Sequence, residues 1–114
     1  MNETVTMYRP TGPDELKLVA ESGYKRWPPR LPEQPFFYPV TNEEYAKEIA
    51  MKWNVKSSGV GYLTKFKVKK EFIANYELHK VGGSNHEEWW IPAKDLDILN
   101  ENIVGLIKVV GEYR

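Results

Sequence analysis

The order of hydrophobic patterns along the chain predicts an α+β domain with a mostly antiparallel sheet and two to three helices. Strand patterns outnumber helical ones, the helical ones cluster early, and the second half lacks the regular strand-helix alternation that parallel crossover units require. With 114 residues, 41% hydrophobic and 13% aromatic, the sequence reads as one domain spanning residues 1–114 with enough apolar surface to bury a core.

Thr4 to Arg9 is β-branched and aromatic and favours a strand, which Pro10 and Gly12 are expected to end. Thr11-Gly12-Pro13-Asp14-Glu15 then puts a proline in the first turn of a helix and acids at its positive end. Leu16, Val19 and Ala20 form the expected buried stripe of that helix, and Gly23 its left-handed cap. Pro28, Pro29, Pro32 and Pro35 make residues 24–35 irregular, while Tyr24, Trp27 and Leu31 carry apolar area that favours packing against the domain. Phe36 to Val40 reads as a short strand whose Pro39 suggests a sheet edge or end.

Thr41-Asn42-Glu43-Glu44 has the form of a capping box, opening a helix that runs to about Trp53 with Tyr45, Ile49 and Trp53 on one face. Gly59 to Val68 is the clearest strand, with Val60, Tyr62, Thr64, Phe66 and Val68 expected inward and Lys65 and Lys67 in water. Lys69 to Asn75 suggests one helical turn, Tyr76 to Val81 a strand, Gly82-Gly83-Ser84-Asn85 a turn, and His86 to Ile91 another strand. Pro92 opens a short helix of Lys94 to Leu99, Asn100 closes it, and Ile103 to Val110 is the last strand.

Sixteen Lys and Arg balance sixteen Asp and Glu. Without a basic stripe, binding driven by nucleic-acid phosphates is disfavoured, and the lysines at 65, 67, 69 and 70 read as a solvated face. The absence of cysteine removes disulfides, thiol nucleophiles and thiolate metal sites, and His79 and His86 alone make a poor zinc set, so no metal is expected. No apolar run reaches the ~20 residues of a membrane helix, and the polar start Met1-Asn2-Glu3-Thr4 is unlike a signal peptide. These features together predict a cytoplasmic protein with no membrane partner. A P-loop, Gly-x-Gly-x-x-Gly, His-Glu-x-x-His and a nucleophile elbow are all missing.

What remains is a set of polar and aromatic groups at strand ends. Tyr8-Arg9, Phe37-Tyr38 followed by the Tyr45 to Ala50 helix, Gly61 to Val68, and Glu88-Trp89-Trp90-Ile91-Pro92 resemble the three-part strand signature of ADP-ribosyltransferase-like domains. Tyr8-Arg9-Pro10-Thr11-Gly12, Pro28-Pro29-Arg30-Leu31-Pro32, Val81-Gly82-Gly83 and Ile91-Pro92-Ala93 are similar, over nearly the whole chain, to small bacterial proteins labelled ADP-ribosylation/crystallin J1. That label belongs properly to large helical glycohydrolases with metal-binding acids, which a short strand-rich chain cannot be. The transferase-like resemblance implies a split sheet with a cleft for NAD, which is consumed as a substrate, or for a related ADP-ribose compound. It implies Glu88 as the catalytic acid, Arg9 as the first-strand cofactor group and Tyr38 as the second-strand one. His86 is expected beside them, and Arg30 on a cleft-covering loop where it meets a phosphate. Members that modify arginine carry a Glu where His86 stands and Ser-Thr-Ser where Phe36-Phe37-Tyr38 stands, which speaks against arginine as the acceptor. The expected partners are thus a small nucleotide ligand and an acceptor of unknown identity, with a protein among the candidates. Two other readings stay open. One is a non-catalytic interaction module, of the immunity, phage or regulatory kind, gripping a protein through exposed Trp and the Pro-rich loop. The other is an RNA-directed 2′-phosphotransferase relative, which the brevity and neutrality of the chain weaken.

Overall fold

The computed structural model describes residues 3–81 and 86–114. The turn expected at Gly82 to Asn85 lies outside them. The protein is α+β, and each strand pairing is antiparallel. Strand β1 (Thr4–Thr11) and β7 (Ile103–Tyr113) flank β3 (Gly61–Lys69) in a three-stranded sheet, while β2 (Phe36–Phe37) pairs with β6 (Ile91–Pro92) and β4 (Leu78–Lys80) with β5 (Glu87–Trp89). Val40 ties these pieces together, because it bridges Tyr8 on one side and Glu88 on the other.

Strand β1 continues through Pro10 to Thr11 rather than stopping at Arg9. Tyr8 exchanges both backbone hydrogen bonds with Val40, at 3.0 and 2.8 Å, so its polar backbone groups point away from β3. Two residues on, those of Pro10 do the same, and its missing N–H removes nothing from the β1–β3 ladder.

Helix α1 (Pro13–Glu21) buries Val19 alone; Ala20, expected in the stripe, is exposed. Gly23 and Tyr24 follow in left-handed conformation, φ +78° and +62°. Of the expected strand Phe36 to Val40 only Phe36–Phe37 is regular, since Pro39 has no N–H to continue a ladder. The cap of α2 (Glu43–Ile49) is Asn42, whose carboxamide oxygen accepts the Tyr45 N–H at 2.8 Å, so the start falls one residue later than a Thr41–Glu44 box would place it.

The helix also runs on past Trp53, through a π-helical turn (Ala50–Asn54) into α3 (Val55–Ser58), and Gly59 ends it at φ +80°. This helix lies so close to β3 that a Cβ on Gly61 would enter the Ala50 carbonyl oxygen and sit 2.9 Å from the Asn54 Cβ.

Because β3 is central, it is covered on both faces at one end. Phe66 and Val68 join the main core with Met7, Val19, Trp27 and Phe37. Leu63 instead packs beneath α2 with Val40, Tyr45 and Ala46. The expected alternation of one buried and one wet face therefore fails at Leu63-Thr64, where the register with β7 shifts and both residues are buried. Phe72 and Ile73 of a single helical turn α4 (Lys70–Ile73), and Leu96 and Leu99 of α5 (Leu96–Glu101), which follows a 3-10 turn (Ala93–Asp95), also join the main core. Residues 24–35 are held there as well. Trp27 is 1% exposed, and its backbone N–H and C=O are both taken by the Asn100 carboxamide at 2.8 and 2.9 Å.

Candidate functional site

Arg9, Tyr38 and Glu88 line one cleft of about 280 Å³, together with Pro10, Val40, Ile49, Trp53 and Asn54. The bridge at Val40 brings them together: β1 supplies Arg9, the segment entering Val40 supplies Tyr38, and β5 supplies Glu88. The opposite wall is the edge of the long helix, where Ile49 and Trp53 follow Tyr45 at intervals of four residues.

Glu88 is held by two aromatic donors. The Tyr45 hydroxyl donates to its Oε2 at 3.1 Å and the Trp90 indole N–H to its Oε1 at 2.8 Å. Burial, and then the negative charge of Glu88, push the Tyr45 phenol up to about 12, so it stays a proton donor at neutral pH. Trp90 stacks on His79 at 4.0 Å and stands edge-on to Tyr38 at 6.1 Å, which fixes both indole and phenol beside the carboxylate. Successive residues of a strand face opposite ways, so Trp89 enters the core at 6% exposure while Trp90 stays at the surface at 37%.

Arg9 is fixed from behind. Its Nε and Nη2 donate to the two oxygens of Glu15 at 2.7 and 2.9 Å, and its guanidinium lies 4.3 Å from the Phe37 ring centre. Glu15 also accepts from the Thr11 hydroxyl at 2.8 Å and from Arg30 Nη1 at 3.3 Å. Burial raises the Glu15 carboxyl, but Arg9, Thr11 and Arg30 outweigh it and hold the group below its ordinary value. Burial and the neighbouring Arg9 charge lower Arg30.

Arg30 therefore does not line the cleft. The Pro-rich loop carries it to Glu15 and to the Phe36 carbonyl, 3.2 Å from its Nε, so it braces Arg9 through a shared carboxylate. His86 is also outside the cleft wall: it stacks on Tyr45 at 4.3 Å and approaches Glu48 at 3.3 Å, one residue removed from Glu88 through the Tyr45 ring.

Sequence reasoning missed four residues of the site. Glu15 looks like a dipole partner in a helix's first turn, although Thr11 four positions earlier hints at a shared hydrogen bond. Tyr45 and Trp53 look like core positions, yet Tyr45 sends its hydroxyl to Glu88 and Trp53 is 69% exposed. Asn54 breaks the apolar stripe, and its buried Oδ1 has no hydrogen-bond partner among the described residues. Among those residues no group of three or more His, Asp or Glu converges as a metal site would, and no helix is long and apolar enough to cross a membrane.

Comparison with protein-family models, curated proteins and solved structures gave no match.

Proposed function

We propose that this is an ADP-ribosyltransferase-like domain that binds NAD or an ADP-ribose compound in the cleft of Arg9, Tyr38 and Glu88. The observation that carries the reading is their convergence from three separate chain segments on one cleft, with the carboxylate and the guanidinium each locked in place. The residues fit such a ligand. Arg9 spends Nε and Nη2 on Glu15, and among the described residues Nη1 has no acceptor, leaving donors for a phosphate oxygen. Glu88 is aimed by Tyr45 and Trp90 before any substrate arrives, which is the arrangement that stabilises charge developing only in a transition state. Bound NAD would supply a ribose C1′ whose bond to nicotinamide breaks, the electron pair leaving on nicotinamide. Glu88 then faces the positive charge on the ribose, while the acceptor's lone pair closes the new bond to C1′ and its proton passes to Glu88. Tyr38, beside Trp90, orients the ring of the leaving group.

Thermal unfolding with and without excess NAD or ADP-ribose tests binding, since a ligand of the folded state at a hundredfold its Kd adds ~2.7 kcal/mol. The proposal expects a rise in Tm with at least one of them, and nicotinamide release that Glu88→Gln abolishes while keeping the shift. No shift with either compound refutes it.

A second reading, the non-catalytic interaction module, is favoured by one observation: among the described residues Trp53 at 69% and Leu31 at 56% are the most exposed large apolar side chains. It keeps less of the Pro-rich loop than the sequence suggests, since Trp27 and Arg30 are turned inward. An absent ligand shift would favour this reading.

A further inference from the structure

We infer that Trp53 is the platform on which the ligand's purine ring stacks, so that the cleft selects nucleotides by an aromatic base outside the ribose-phosphate pocket. The inference rests on the proposed function and adds the ligand feature that the cleft itself does not read. The cleft, about 280 Å³, lies at or below the low end of small-molecule sites, which span roughly 300–1,000 Å³. It takes the part of an ADP-ribose compound that reaches Arg9 and Glu88, and the rest of the ligand emerges at the mouth. Trp53 stands on the wall of that cleft and is 69% exposed, the largest exposure of any large apolar side chain among the described residues.

An indole left so open gains little from burial in the free protein, where Tyr45 on the same edge is buried and Ile49 partly so. Its backbone sits close against the sheet. The π-helical turn Ala50–Asn54 is pressed on Gly61, where no Cβ fits, so the backbone under Trp53 cannot come closer to β3. An exposed indole lining the same cleft as a guanidinium and a carboxylate presents the flat apolar surface on which a base stacks.

Calorimetric titration of the wild type, Trp53→Ala and Trp53→Phe with ADP-ribose and with ribose 5-phosphate separates the parts. The inference expects Trp53→Ala to weaken ADP-ribose by about 5- to 150-fold, to leave ribose 5-phosphate unchanged, and Trp53→Phe to recover most of the loss. Unfolding curves of the variants, expected to overlay the wild type because the ring is exposed, exclude a folding effect. ADP-ribose bound equally by wild type and Trp53→Ala, or an equal loss for both ligands, overturns the stacking role while the cleft assignment stands. A wild-type protein that binds neither compound overturns the cleft assignment, and the stacking role with it.

Discussion

Removing Glu15 should unfold the protein more readily than removing almost any core methyl group. Its carboxylate accepts from Arg9 twice, from Thr11 and from Arg30, and the side chains of Arg9, Arg30 and Glu15 are only 11%, 10% and 20% exposed. Glu15→Ala leaves two largely buried guanidiniums side by side with no counter-charge. Breaking a buried pair in this way costs about 3–5 kcal/mol, and at about 4 °C per kcal/mol for a chain of this size the Tm falls by roughly 12–20 °C. The pH dependence carries a second signature. The folded-state carboxyl lies below its ordinary value of 4.5, so its contribution is fully present above that value and is lost as pH falls through the lowered one. Glu15→Gln keeps the bulk and removes the charge, so the stability gap between wild type and Glu15→Gln should be wide at pH 7 and narrow toward pH 3. Urea unfolding at both pH values measures each quantity. A Glu15→Ala cost below ~1 kcal/mol, or a gap independent of pH, would mean that the cluster is solvated and that Arg9 is not held by Glu15.

Two further outcomes test how the cleft is framed. Gly61→Ala drives a methyl into the Ala50 carbonyl and the Asn54 Cβ, so it should cost about 1–3 kcal/mol in denaturant midpoint; a change within a few tenths would show that the helix can slide on β3. Asn100→Ala strips both backbone partners from Trp27, at a cost of about 1–3 kcal/mol, and should speed trypsin cleavage after Lys25, Arg26 or Arg30; unaltered cleavage would mean that the loop is held by Trp27 packing alone.

The fold was largely legible because most of its elements announce themselves locally. The β-branched run at Thr4, the proline at the start of α1 and the alternation from Gly61 each act within a few residues. What the sequence hid depends on distant neighbours. Pro10 can remain in a strand only because its missing N–H points away from β3, a register set by pairing with Leu63, far along the chain. Leu63 is buried because α2 lies over the second face of β3, and strand periodicity carries no record of that helix. The candidate site divides the same way. Arg9, Tyr38 and Glu88 could be singled out by type and by the strand ends the sequence predicts for them, although Arg9 and Glu88 lie inside β1 and β5 and Tyr38 just past β2. The roles of Arg30 and Tyr45 depend on side chains 15 and 43 positions distant, that of Glu15 on Arg9 six positions back across the turn into α1, and the exposure of Trp53 on a π-helical turn that no residue spacing signals.

The balance of charge in the chain now acquires a local meaning. Arg9, Arg30, Glu15 and Glu88 lie in and just behind one cleft, two of each sign, so the site has little net charge even though each group is fixed. Such a site draws a polyanion weakly over distance. The proposed ligand, anionic at one point and cationic at another in the reaction, fits such a site because Arg9 and Glu88 line the same cleft without neutralising each other: Arg9 is paired to Glu15, and Glu88 is held by Tyr45 and Trp90. The counter-ion that each would otherwise find in the other is supplied from behind the wall. On the proposed reading, that separation lets one guanidinium and one carboxylate act at two different atoms of the same ligand, and it gives Arg30, which braces the shared Glu15 from behind the cleft, a part in the arrangement.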